Sequence, residues 1–283
     1  MIQNPNFIRV FSDLHLDFDV LHKNSSVEQL WFPEALPFDD NTILILAGDI
    51  WHAKKPLSYK GFSWIKEVAK RFQYVVLVLG NHDFWGGNLN LEYTRYQSFI
   101  EENHLNNVFL LQNKTIEFDN IKIIGGTLWT DYLKGNPVCM TLAENGLMND
   151  YKFIKKGNGF FKLKARDILS EHLKTKQYIE KNAKKEDGQN LWVITHHLPT
   201  IASIPIEKGT DEQEIENGLY YSDLEDIIQN NPIDVWVHGH AHYYQYYDLY
   251  GTKIIANPRG YKNENTQFNP WVVYDLAGKI LNI

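Results

Sequence analysis

Tyr74-Val75-Val76-Leu77-Val78-Leu79-Gly80-Asn81-His82-Asp83 decides how this chain folds. Its first six residues are apolar and rich in β-branched side chains, which predicts a strand buried on both faces. The run stops at Gly80 and three polar residues follow at once. In α/β sheets, polar groups just past the carboxyl end of a buried parallel strand stand in the crevice where ligands bind. One such tetrapeptide is a weak signal. Four other strand-like runs in the chain end the same way.

Phe7–Phe11 runs into Ser12-Asp13-Leu14-His15, and Thr42–Ala47 into Gly48-Asp49-Ile50-Trp51-His52. Leu191–Ile194 ends in Thr195-His196-His197, and Ile233–Val237 in His238-Gly239-His240-Ala241-His242. Between the early strands, residues 59–72 carry Phe62, Ile65, Val68, Ala69 and Phe72 at helical spacing. Residues 92–104 and 163–185 also read as helices, the latter closed by a C′ glycine, Gly188. Ser222 with Glu225 reads as a capping box for a further helix. The first hundred residues thus form β-α-β units with right-handed crossovers. Stretches 19–41 and 199–219 read as loops. No compositional shift marks a linker, so residues 1–283 are expected to form a single α/β domain, with 130–190 as an embedded lid or insertion.

Composition narrows the function. With 43% hydrophobic and 14% aromatic residues, the 283-residue chain can bury a sizeable core. A net charge of −7 excludes a bulk basic surface for nucleic acid. Cys139 is the one cysteine, so neither an intrachain disulfide nor a thiolate zinc site can form. No apolar run approaches the roughly 18 residues of a membrane span. The first strand begins near Phe7 with no room for a signal peptide before it, and the expected address is cytoplasmic.

Set side by side, the strand ends offer Asp13, His15, Asp49, Asn81, His196, His240 and His242. This mixed oxygen and nitrogen set suits manganese, iron or zinc. Seven groups are too many for one tetrahedral ion. They suit two ions sharing a carboxylate, which in hydrolytic sites lie roughly 3.5–4 Å apart.

Asp-x-His, Gly-Asp, Gly-Asn-His-Asp, His and Gly-His-x-His, in this order from Asp13 to His242, resemble the calcineurin-like metallophosphoesterase superfamily. The resemblance implies a four-layer α-β-β-α sandwich of two mixed sheets flanked by helices. It implies two divalent metal ions, manganese favoured over iron or zinc. It puts Asp13, His15 and His242 on one ion, Asn81, His196 and His240 on the other, and Asp49 between them. His82 matches the family's catalytic histidine. Asp83 is expected to accept from a ring nitrogen of His82 and orient it. His52 and His197 are candidate substrate contacts, and Arg259, within Asn257-Pro258-Arg259-Gly260-Tyr261, is a candidate phosphate clamp. The other reading of Arg259 is a turn anchored by a structural salt bridge.

The expected reaction is hydrolysis of a small phosphomonoester or phosphodiester by a metal-bridging hydroxide. The acidic balance opposes long nucleic acid as substrate. The lack of an amphipathic basic stretch opposes a membrane lipid. The rival readings are a nuclease and a non-catalytic scaffold on the same fold. Neither the physiological substrate nor the oligomeric state is legible in the sequence.

Overall fold

The computed structural model describes residues 4–19, 30–54, 58–205 and 211–282. Parts of the loops expected at 19–41 and 199–219 lie outside these residues. Strand β1 (Phe7–Phe11) is followed by β2 (Thr42–Ala47), α1 (Ser58–Ala69), β3 (Tyr74–Val78), α2 (Glu92–Glu102) and β4 (Val108–Leu110). Next come β5 (Lys114–Glu117), β6 (Ile121–Gly125), α3 (Pro137–Leu142), α4 (Asp150–Phe153), and the short strands β7 (Lys155–Lys156) and β8 (Phe161–Lys162). The chain continues through α5 (Ala165–Asn182), β9 (Asn190–Ile194), α6 (Asp211–Asn217), α7 (Glu225–Asn230), β10 (Val235–Val237), β11 (Gln245–Leu249) and β12 (Thr252–Ala256).

Two main sheets result. The first has the order β1-β2-β3-β4, and all its strands are parallel. One antiparallel bridge, Ile8 to Tyr274, extends its edge. The second has the order β11-β12-β10-β9-β6-β5. Its inner four strands are parallel and its two edge strands antiparallel.

Side-chain alternation along the strands builds the layers. Ile43, Ile45 and Val76 of the first sheet pack with Trp192, Ile194 and Val237 of the second. Leu44, Leu46, Val75 and Leu77 face the other way, under Phe62, Ile65 and Val68 of α1 and Tyr96 and Ile100 of α2. On the far side, Leu191, Val193, Trp236 and Ile254 lie under Ile179 of α5 and Ile227 and Ile228 of α7. The order is helix, sheet, sheet, helix. Burial on both faces explains why β2 and β3 read as unbroken apolar runs.

Several local features differ from the sequence reading. Lys114-Thr115-Ile116-Glu117 and Gln245-Tyr246-Tyr247-Asp248-Leu249 are strands. Both lie on sheet edges, where half-exposed polar and aromatic residues blur the apolar signal. Ser222 does not cap α7, which begins at Glu225 with no side-chain cap. Its Oγ instead accepts from the Asp131 amide at 2.9 Å. Gly188 (φ +80°) makes the turn into β9, while α5 ends at Asn182. Tyr132, Leu133 and Lys134 form a left-handed turn, with φ of 55, 55 and 61°.

Ile45 is fully buried between the sheets. Ile45→Ala is expected to cost about 2–5 kcal/mol. Urea unfolding of metal-stripped protein checks this, and an unchanged midpoint would show that the inter-sheet packing is described wrongly.

Candidate metal centre

All five polar clusters stand at carboxyl ends of parallel strands, on one rim of the sandwich. Backbone hydrogen bonds knit the rim together. Asp13 N–H donates to Gly48 O at 2.9 Å and His15 N–H to Asp49 O at 3.0 Å. Gly239 N–H donates to His196 O at 3.0 Å. His240 N–H donates to the Asp13 carboxylate, 3.0 and 3.1 Å from its two oxygens.

The backbone is strained where these side chains emerge. Asp13, His15, Asp49, His240 and His242 have φ of 50, 45, 56, 68 and 49°. Left-handed conformations of this kind cost non-glycine residues on the order of 1–3 kcal/mol each and cluster at functional sites. Close approach also demands glycine. A Cβ at Gly80 would lie 2.1 Å from Asp49 Oδ1, and one at Gly239 would lie 2.6 Å from Asp13 Oδ2.

The side chains form overlapping groups whose ligand atoms all lie within 4.8 Å of one another: Asp13, His15 and His242; His15, Asp49 and His82; and Asp49, His196 and His240. In the first, His242 Nε2 is 3.4 Å from Asp13 Oδ1 and 3.1 Å from His15 Nε2. In the last, His196 Nε2 is 3.4 Å from Asp49 Oδ2 and 3.1 Å from Asn81 Oδ1. Asp49 Oδ2 also lies 4.0 Å from His15 Nε2, so it stands between the two ends of the site. His240 Nε2 is buried with no hydrogen-bond partner. Converging lone pairs with an orphaned nitrogen among them are what a divalent cation requires.

Outer hydrogen bonds orient the imidazoles. His196 Nδ1 lies 2.9 Å from Ala47 O, and His242 Nδ1 lies 2.6 Å from Glu264 Oε2. Each ring thereby turns its Nε2 inward, as in the carboxylate–histidine–metal arrangement. Burial pushes the Asp49 carboxyl up, but His196, His82 and His15 outweigh it and hold the group well below the usual range. Burial lowers His15 to about 3, so its ring is neutral at physiological pH. For His196, burial is overcome by Asp49 and Asp13, which raise it to about 9. For His242, burial is overcome by Asp13 and Glu264, which also raise it to about 9.

Residues 8–244 match the calcineurin-like phosphoesterase model. The chain belongs to the calcineurin-like phosphoesterase family. It is a metal-dependent phosphoric ester hydrolase. It is 30% identical to the uncharacterized protein L509 of Acanthamoeba polyphaga mimivirus, over 95% of this chain and 96% of the relative. The phosphopantetheinyl hydrolase of Mycobacterium tuberculosis has the same fold, with a TM-score of 0.64 at 16% identity, over 94% of this chain and 95% of that one.

In this phosphoesterase His82 stands on the cavity side of the cluster. Burial lowers its pKa, which leaves the ring neutral. Its Nδ1 is 3.3 Å from His52 Nε2 and its Nε2 is 3.3 Å from the Tyr261 hydroxyl. His52 Nε2 is also 3.4 Å from Asp17 Oδ2. Trp85 stacks on the His82 ring at 3.6 Å.

Asp83 does not orient His82. Its carboxylate accepts from the amides of Asp49, Gly80 and Trp51 and from the Tyr96 hydroxyl, at 2.8–3.1 Å. These four bonds hold the Asp49 and Asn81 loops together and leave none for the imidazole. His197 is buried behind His240, ring to ring at 4.2 Å, and does not line the cavity. Arg259 is committed elsewhere: both terminal nitrogens bind Asp19, at 2.8 and 2.9 Å, and one also reaches Leu14 O. It therefore ties the Asn257–Tyr261 loop to the segment after β1, in keeping with the salt-bridge reading.

Tyr261, Glu264, Trp85 and Asp150 line the cavity beside the cluster without being named as site residues by the sequence, although Trp85 flanks a motif as an aromatic able to stack. Tyr261 stacks on His15 at 4.5 Å. It closes the Asn257-Pro258-Arg259-Gly260-Tyr261 run, where the charged Arg259 is the more conspicuous signal. Glu264 had no signal, since its role comes from a turn that places it beside His242.

Because His196 and His242 carry raised pKa values of about 9, both are protonated at pH 7 in the metal-free protein. A cation bound through Nε2 displaces those protons, so affinity rises with pH until about 9. Manganese titration at pH 7 in buffers of different ionisation heat is expected to release about two protons per protein. Zero net release would contradict this electrostatic account.

Proposed function

We propose that this phosphoesterase carries two divalent ions and hydrolyses a small phosphodiester, with phosphomonoesters as poorer substrates. Asp13, His15 and His242 would hold one ion, and Asn81, His196 and His240 the other, with Asp49 shared. The observation that carries this reading is the position of Asp49 Oδ2 between the two groups. Bound ions would supply positive charge for the phosphoryl oxygens and a nucleophile drawn from water at neutral pH.

The chain's own residues do the rest. Neutral His82 donates a ring N–H toward the phosphoryl group or the leaving oxygen. His52 and Tyr261 fix the two edges of its ring, and Trp85 fixes its face. Asp83 keeps the Asp49 and Asn81 loops in register through its backbone bonds.

The cavity over the cluster has a volume of about 510 Å³, which suits a small organic phosphate. Trp85, Tyr220 and Tyr261 line it with aromatic surface, and Leu147, Met148 and Ile204 with apolar surface. Glu216 and Glu264 add negative charge. No lysine or arginine lines it among the described residues. Charge on the phosphate therefore rests against the cluster alone, which favours the monoanionic diester over the dianionic monoester. The acidic wall also opposes a nucleic acid strand.

Metal-stripped protein reloaded with manganese is expected to hydrolyse bis-p-nitrophenyl phosphate faster than p-nitrophenyl phosphate. Asp49→Ala should abolish the manganese-dependent rate and manganese binding together. His82→Ala should lower kcat by about 10²–10⁴-fold while manganese content stays at the wild-type level. Wild-type activity in Asp49→Ala would refute the shared-carboxylate reading.

A further inference from the structure

Asp150 lies in the segment between β6 and α5, far in sequence from every strand-end motif. It is the first residue of α4, and its carboxylate is buried. A buried carboxylate needs donors, and two point at one of its oxygens. Asn81 Nδ2 donates to Asp150 Oδ1 at 2.9 Å, and Trp85 Nε1 donates to the same atom at 2.6 Å. Each of these partners is tied to the centre. Asn81 turns its Oδ1 toward His196 Nε2 at 3.1 Å, and the Trp85 indole covers the His82 ring at 3.6 Å.

We propose that Asp150 is a positioning residue that fixes the Asn81 amide with its oxygen toward the metal and its nitrogen away. The proposal rests on the metal-centre reading above. A primary amide has an acceptor end and a donor end of nearly the same shape. Rotating it by half a turn would aim two N–H donors at a cation. An acceptor that can take only the NH2 end removes that alternative. The same oxygen, by accepting from Trp85, also sets the plane of the indole against His82. The segment between β6 and α5 therefore completes the centre from outside the motif-bearing strands. Outer hydrogen bonds of this kind are typically worth about 10–100-fold in metal affinity.

The test uses the full chain, stripped of metal and titrated calorimetrically with manganese chloride. Asp150→Leu keeps the branched shape, with methyl groups in place of the carboxylate oxygens, and removes the acceptor. It is expected to weaken one of two manganese-binding events by about 10–100-fold while the other stays at the wild-type affinity. Asp150→Asn keeps a carbonyl oxygen for both donors and is expected to stay within about threefold of wild type. Thermal unfolding in chelator shows whether each variant is folded. If leucine prevents folding, Asp150→Ser, too short to reach either donor, takes its place. Two wild-type affinities in a folded leucine or serine variant would overturn the proposal, as would an equal loss in Asp150→Asn. Failure of the wild-type chain itself to bind manganese would instead overturn the metal-centre reading.

Discussion

Asp13 and Asp49 are buried carboxylates ringed by imidazole nitrogens that point inward. Burying such charges is costly unless each is paired or coordinates a metal. Here the polypeptide supplies partial compensation: His196 is drawn to a raised pKa by Asp49 and Asp13, and His242 by Asp13 and Glu264. That arrangement holds protons where a family of metal-dependent enzymes holds cations. The rest of the rim follows from keeping these groups close.

The fold pays for this closeness in backbone conformation. Five of the seven strand-end candidates sit in left-handed geometry. Such strain persists only where the surroundings over-determine it. The surroundings are two sheets packed through Ile43, Ile45, Trp192 and Ile194, and a lattice of amide bonds centred on the Asp13 and Asp83 carboxylates. Asp83 shows how a residue that looks catalytic in sequence can be structural. It sits beside His82 in the chain, yet all its observed bonds join neighbouring backbone and Tyr96. The groups that surround the His82 ring are instead His52, Tyr261 and Trp85.

Much of this was legible in sequence because doubly buried strands leave continuous apolar runs and their polar ends stand out against them. Asp13, His15, Asp49, Asn81, His196, His240 and His242 all came together for that reason. Edge strands were not legible: the exposed ends Lys114 and Glu117 and the tyrosine-rich Gln245–Leu249 lack a clean period. Ser222 had a capping signature, but tertiary contact with the Asp131 amide won over local capping. Asp150 and Glu264 carried no motif at all. Their meaning lies in donors that reach them from distant parts of the chain, which no local pattern encodes.

The proposed site requires two cations meeting at Asp49. Anomalous diffraction at the manganese edge, from crystals grown with manganese, reads this directly. The arrangement proposed requires two peaks roughly 3.5–4 Å apart, one against Asp13, His15 and His242 and one against Asn81, His196 and His240, with Asp49 touching both. A single peak, or two peaks with Asp49 turned away from either, would contradict it.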